Sequence, residues 1–159
     1  MLSTDALTVT TPSDHEILMT RSFDAPRALV FKAYTNPALL KRWLGVFRDW
    51  SLDVCEVDLR VGGRIRYEWR KKRGRGMGLS GEFREVVVPE RLVSTERFDD
   101  PWYEGEAMAT ATFTEIDGRT TLAMGMRYES QAVRDAVLKS GMETGVAASF
   151  DLLAALLQT

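Results

Sequence analysis

The segment SQAVRDAVLKSGMETGVAASFDLLAALLQT, residues 130–159, decides how the rest of the chain must fold. Its apolar residues recur at Met142, Val146, Phe150, Leu153 and Leu157. That spacing draws one stripe along an α-helix. Ser140 followed by Glu143 fits a capping box, in which the hydroxyl accepts an orphan N–H and the carboxylate reaches back. The pattern predicts a long helix over 141–157, and Ser130 caps a shorter one running through 138. Gly141 is the joint, and Gly145, Ala147 and Ala148 keep one side of the long helix thin. A helix this apolar on one face needs a sheet to lie on. The expectation is a sheet that curls around the helix and leaves a pocket between them.

The strands for such a sheet lie upstream. Residues 106–116 and 119–128 flank Asp117-Gly118, a strong two-residue hairpin signal. Its register sets Phe113 opposite Leu122, Ala111 opposite Met124, Ala109 opposite Met126 and Ala107 opposite Tyr128. Two alanines beside two flexible methionines leave adaptable space where a close-packed core would want bulk. Residues 50–59 and 64–70 form another pair around Val61-Gly62-Gly63, which allows two registers. A three-residue loop sets Leu59 against Ile65, Val57 against Tyr67, Cys55 against Trp69 and Asp58 against Arg66; it matches apolar with apolar and is preferred. Residues 77–87 predict a bent strand, because Phe83 and Val86 break strict alternation. Pro89-Glu90 then turns the chain into a strand over 92–98.

The first strand is 16–23. After it, Asp24-Ala25-Pro26 and Asn36-Pro37 both read as helix starts, so two short helices follow, the second over 38–44 with Trp43. Residues 1–13 are Ser/Thr-rich and read as a loose arm; 14–159 read as a single domain. The class is α+β.

Composition narrows the function classes. Net charge is −2 with both signs mixed, so nothing draws the chain to nucleic acid or to an anionic membrane. One cysteine excludes an internal disulfide and a cysteine-based zinc site, and one histidine argues against a histidine-based metal site or a Ser-His-Asp triad. No signal peptide is evident, and no apolar run approaches the ~20 residues needed to span a bilayer. A reducing, cytoplasmic setting is expected.

Four stretches, TRSFDAPRALVFKAYTNPALLKRWLG (20–45), VDLRVGGRIRY (57–67), GEFREVVVPERLV (81–93) and the final helix, resemble the START-like superfamily of helix-grip domains. More narrowly they resemble its bacterial branch, related to the C-terminal domain of the activator of the ninety-kilodalton heat-shock-protein ATPase. The resemblance implies a seven-stranded antiparallel sheet wrapped around the C-terminal helix, with an elongated internal cavity. Members bind lipids, sterols, polyketides or plant hormones, so the resemblance implies no single chemistry. It makes a chaperone or other protein a possible partner. The eukaryotic activators carry a further N-terminal domain that engages the chaperone; here residues 1–15 precede the first strand, and an orthodox co-chaperone role is not expected.

The leading expectation is a small apolar or amphipathic ligand held between helix and sheet. Tyr67, Trp69, Phe83, Met124 and Met126 from strands, Met142, Val146 and Phe150 from the helix, and Trp43, Trp102 and Tyr103 as a roof are the candidate contacts. No metal, cofactor or catalytic residue is assigned. An acid–base role, as in the polyketide cyclases of the superfamily, would fall to Glu56, Asp58 or Glu68, yet the register puts Asp58 and Glu68 on the face opposite Tyr67 and Trp69. The basic run 70–76 reads as a solvated hairpin, and the segment 98–103 as a lid. The oligomeric state is not legible.

Overall fold

The computed structural model describes residues 6–103 and 105–158. One antiparallel sheet of eight strands carries the fold: β1 Thr8–Thr10, β2 Glu16–Phe23, β3 Trp50–Val57, β4 Arg64–Lys71, β5 Gly76–Val87, β6 Arg91–Phe98, β7 Ala107–Ile116 and β8 Arg119–Arg127. Their spatial order is β1-β2-β8-β7-β6-β5-β4-β3. Helices α1 (Arg27–Thr35) and α2 (Pro37–Leu40) follow β2, and α3 (Gln131–Lys139) and α4 (Met142–Leu156) close the chain. The seven expected strands are present. The eighth, β1, lies where a loose arm was expected and pairs Val9 with Met19 at the sheet edge; residues 1–5 of that arm lie outside the described residues.

The β7–β8 hairpin has the expected register, with Phe113 opposite Leu122, Ala111 opposite Met124 and Ala109 opposite Met126. The expected bend in β5 is a register shift between Phe83 and Glu85. The β3–β4 register differs from expectation by two residues: Val57 faces Ile65, Cys55 faces Tyr67, and Leu52 faces Trp69 past a bulge. Inward parity survives, but the loop is longer. Gly62 and Gly63 are drawn toward β5, where Gly62 N–H donates to the Phe83 carbonyl and Phe83 N–H to the Gly63 carbonyl. That route passes so close to the Asp58 carbonyl that a Cβ on Gly63 would sit 1.9 Å from it. Leu59 is consequently left more than a third exposed. Arg66 does not meet Asp58; it faces Glu56 and is held by both Asp99 oxygens at 2.7 and 2.6 Å.

Two helix starts differ as well. Asp24 does not cap α1, whose N-cap is Pro26 without a side-chain hydrogen bond; the aspartate instead accepts from Arg119 at 2.8 Å. The Ser140–Glu143 capping box does not form. Ser140 ends α3, its hydroxyl donating to the Val137 carbonyl, and α4 starts from Gly141 in the left-handed region at φ 79°. Two helices meeting at one residue leave the serine to serve the orphan carbonyls of the first. The other two caps are as expected: Asn36 accepts from Ala38 N–H and Leu39 N–H, and Ser130 from Val133 N–H. The second short helix ends at Leu40, and Trp43 follows in a turn.

Helix α4 docks unevenly. Its C-terminal half is sealed onto the sheet by Phe150, Leu153 and Ala154, with Phe150 edge-on to Phe23 at 5.8 Å. Its N-terminal half, carrying Met142 and Val146, is only partly buried. An ion pair also ties the helix down: Arg21, on the inner face of β2 and 5 % exposed, donates to Asp151 at 2.7 Å while its Nε has no hydrogen-bond partner among the described residues. Replacing Asp151 by alanine would strand a buried guanidinium, and a loss of about 1–3 kcal/mol is expected in urea denaturation. An unchanged midpoint would show that solvent already satisfies Arg21.

Candidate functional site

The sheet and the lifted half of α4 enclose a hollow of about 280 Å³. Small residues create it. Ala109 and Ala111 of β7 lie opposite Met126 and Met124 of β8, so one wall is two methyl groups beside two pliable thioethers. Val57, Ile65, Tyr67 and Trp69 form the far wall, and Leu79 and Phe83 extend it across β5. The aromatic walls are pinned. Trp69 donates its indole N–H to the Leu44 carbonyl at 2.9 Å, and its ring lies so close to Gly45, at φ 70°, that a Cβ there would be 2.6 Å from Nε1. Trp43 is fully buried and donates to the Ala33 carbonyl at 2.9 Å.

Of the eleven candidate contacts, ten line this hollow: Trp43, Tyr67, Trp69, Phe83, Trp102, Tyr103, Met124, Met126, Met142 and Val146. Phe150 does not. It sits one helical turn too far along, in the packed core between Phe23 and Trp43, and borders a second, more open recess of about 300 Å³. The two spaces share Tyr34, Trp43, Leu44, Trp69, Met124 and Val146 as a common wall. The segment 98–103, expected as a lid, is an aromatic chain: Phe98 to Trp102 at 6.4 Å, Trp102 to Tyr103 at 5.0 Å, Tyr103 to Tyr128 at 5.5 Å. Trp102 is 48 % exposed, at the rim rather than inside.

Glu56, Asp58 and Glu68 take no part in the lining. Asp58 accepts from Arg60 at 2.8 Å and Glu68 from Arg66 at 3.0 Å, both at the exposed surface. The basic run, residues 70–76, is exposed throughout. Cys55 packs at the core edge, and burial pushes its thiol up to about 11, away from the reactive thiolate.

A different carboxylate enters the hollow. Glu96 lies on β6 with Leu92, Ser94 and Phe98 on the same parity, all four lining the space. It faces Ala107 across the sheet, a neighbour too small to cover it. Among the described residues none donates a hydrogen bond to it or pairs with it. Glu96 is half-buried, open to the hollow on one side and surrounded by protein on the others, and burial pushes its pKa up to about 7. Four tyrosines stand within its field. Tyr34, Tyr67, Tyr103 and Tyr128 are all raised above the ordinary phenol range, first by burial and further by Glu96. They therefore remain neutral donors at physiological pH, and Tyr34 donates to the Met124 sulfur at 3.3 Å.

The sequence carried a signal for Glu96 that the inner-face reading left unused. In RLVSTERF, Leu92 and Phe98 fix the inward parity, and that parity takes Ser94 and Glu96 with it.

Comparison with known proteins places this architecture. Residues 24–158 match the family described as Activator of Hsp90 ATPase homolog 1-like protein. A crystal structure of a Rhodobacter sphaeroides protein is similar at 32% identity over 97% of this chain and 99% of that one, with a TM-score of 0.91. A Mycobacterium smegmatis protein follows at 26% identity, 95% and 96% coverage and a TM-score of 0.84. A Chromobacterium violaceum protein is 28% identical over 91% and 98%, with a TM-score of 0.77. No match was found among curated proteins.

Proposed function

The chain belongs to the Activator of Hsp90 ATPase homolog 1-like family of START-like domains, and from that premise we propose that it binds a small apolar or amphipathic molecule inside the sheet. One observation carries the reading: the lifted N-terminal half of α4 and the Ala109/Ala111 wall leave a hollow that the chain's own side chains do not fill. Its size is near the lower end of ligand pockets, roughly 300–1,000 Å³. Binding would draw on desolvation of Trp69, Phe83 and the methionines. The domain would act without metal or cofactor, in the cytoplasm. A protein-interaction role that leaves the interior idle gives no account of the unfilled space.

Native mass spectrometry of freshly purified protein tests this. A co-purifying small molecule is expected, and Met124→Trp, which places an indole in the hollow, is expected to abolish the adduct while the protein stays folded. Overpacking of this kind costs about 1–3 kcal/mol, which the pliable neighbours can absorb. An adduct that survives the substitution would place the molecule elsewhere.

A second reading, cyclase-like or hydrolase-like conversion, is favoured by Glu96, whose pKa near 7 suits it to take up and return a proton. Recovery of the bound molecule unchanged in mass after prolonged incubation supports binding; a changed mass supports conversion.

A further inference from the structure

The interior of the hollow is electrically incomplete. Among the described residues its lining includes one carboxyl, Glu96, and no lysine, arginine or histidine. The groups facing Glu96 from the surrounding elements are phenols: Tyr34 from α1, Tyr67 from β4, Tyr103 from the lid and Tyr128 just after β8. The adjacent Arg97 is exposed and points to the other face of the strand. A half-buried carboxylate walled by apolar and aromatic side chains, with no partner among the described residues, gains from one that completes it. A ligand entering the hollow can bring that partner.

We propose that the hollow is a receptor for an amphipathic amine, its ammonium seated on Glu96 among the tyrosine rings and its apolar body against Met126 and the alanine wall. This rests on the reading that the hollow takes a small molecule. An anionic head group would be repelled by Glu96. A neutral apolar ligand would leave the carboxylate unsatisfied. An ammonium gives a charge-assisted hydrogen bond and is attracted to the aromatic faces around it. Such amines hold their proton to about pH 10, so at neutral pH it is Glu96 that decides whether the ion pair exists.

Three matched probes test the assignment: 2-naphthylethylamine, 2-naphthylethanol and 2-naphthylacetate, titrated calorimetrically against the intact protein. At about pH 8 the amine is expected to bind roughly 10- to 100-fold tighter than the alcohol, the worth of one charge-assisted hydrogen bond, with the acid weakest. The amine's advantage should shrink at about pH 5.5, where Glu96 holds a proton and the amine is still charged. Glu96→Gln keeps the shape and should collapse the amine-to-alcohol ratio at both pH values. Equal binding of amine and alcohol at the higher pH, or a preference that survives Glu96→Gln, overturns the amine assignment and leaves the cavity reading in place. Binding of none of the three overturns both.

Discussion

Glu96→Gln is expected to stabilise the unliganded protein by up to about 3 kcal/mol near pH 8 and to leave it nearly unchanged near pH 4. The sign follows from where the proton sits. In the unfolded chain Glu96 titrates at its ordinary 4.5, whereas burial in the folded chain lifts it to about 7. Below 4.5 both states carry the proton, and the carboxylic acid costs little more than the amide. Between 4.5 and 7 the unfolded state releases the proton and the folded state keeps it, so stability falls as pH rises. Above 7 both are ionised, and the folded state bears the full penalty of a charge in the hollow. A displacement of 2.5 pH units at about 1.36 kcal/mol each sets the ceiling of about 3 kcal/mol. Glutamine has no charge to bury, so the gap between the two proteins should open through that window. Urea titrations at several pH values read it directly. A gap that does not change with pH would mean that Glu96 is well hydrated and that the hollow behaves as open solvent.

That penalty bears on how a sequence can be read. The hairpin Ala107–Ile116/Arg119–Arg127 was legible because Asp117-Gly118 fixes the register and strict alternation fixes the face. The hollow was legible from the same pairs, since Ala109 and Ala111 cannot fill the space that Met124 and Met126 leave. The β3–β4 register was not, because it depends on Gly62 and Gly63 bonding to Phe83 on β5, a strand that begins only after β4 and lies twenty residues on in sequence. Local pattern cannot weigh a hydrogen bond to a strand that it has not yet placed. Glu96 failed to stand out for the opposite reason. A charged residue at an inward position looks like an error in a core and becomes informative only once the core is known to be hollow. Phe150 shows the limit of a helical stripe. It shares a face with Met142 and Val146, but the helix descends onto the sheet along its length, so one stripe passes from cavity wall to packed core.

Trp43→Ala should be the most damaging of the substitutions considered, at about 3–5 kcal/mol, because it removes two supports at once. The first is volume. The indole is fully buried, 5.7 Å from Tyr34 and 6.0 Å from Phe150, and it stands in the wall between the hollow and the second recess. Its loss would merge the two. The second is a hydrogen bond to the Ala33 carbonyl at the end of α1. In a continuing helix the Ala33 carbonyl would accept from the N–H four residues on, but that residue is Pro37, which has none. Trp43 Nε1 donates to this carbonyl in its place at 2.9 Å and so ties the end of α1 to the turn after α2. The two contributions can be separated. Trp43→Phe restores much of the volume but leaves the carbonyl unpartnered, and should cost about 1–3 kcal/mol. Thermal or urea unfolding of the two variants gives both figures. If phenylalanine were as costly as alanine, the hydrogen bond would outweigh the packing; if phenylalanine were free, water would already be serving Ala33. Either result would also locate the ligand, since a probe confined to the hollow should bind more weakly once the wall is gone, and a probe that spans both spaces should not.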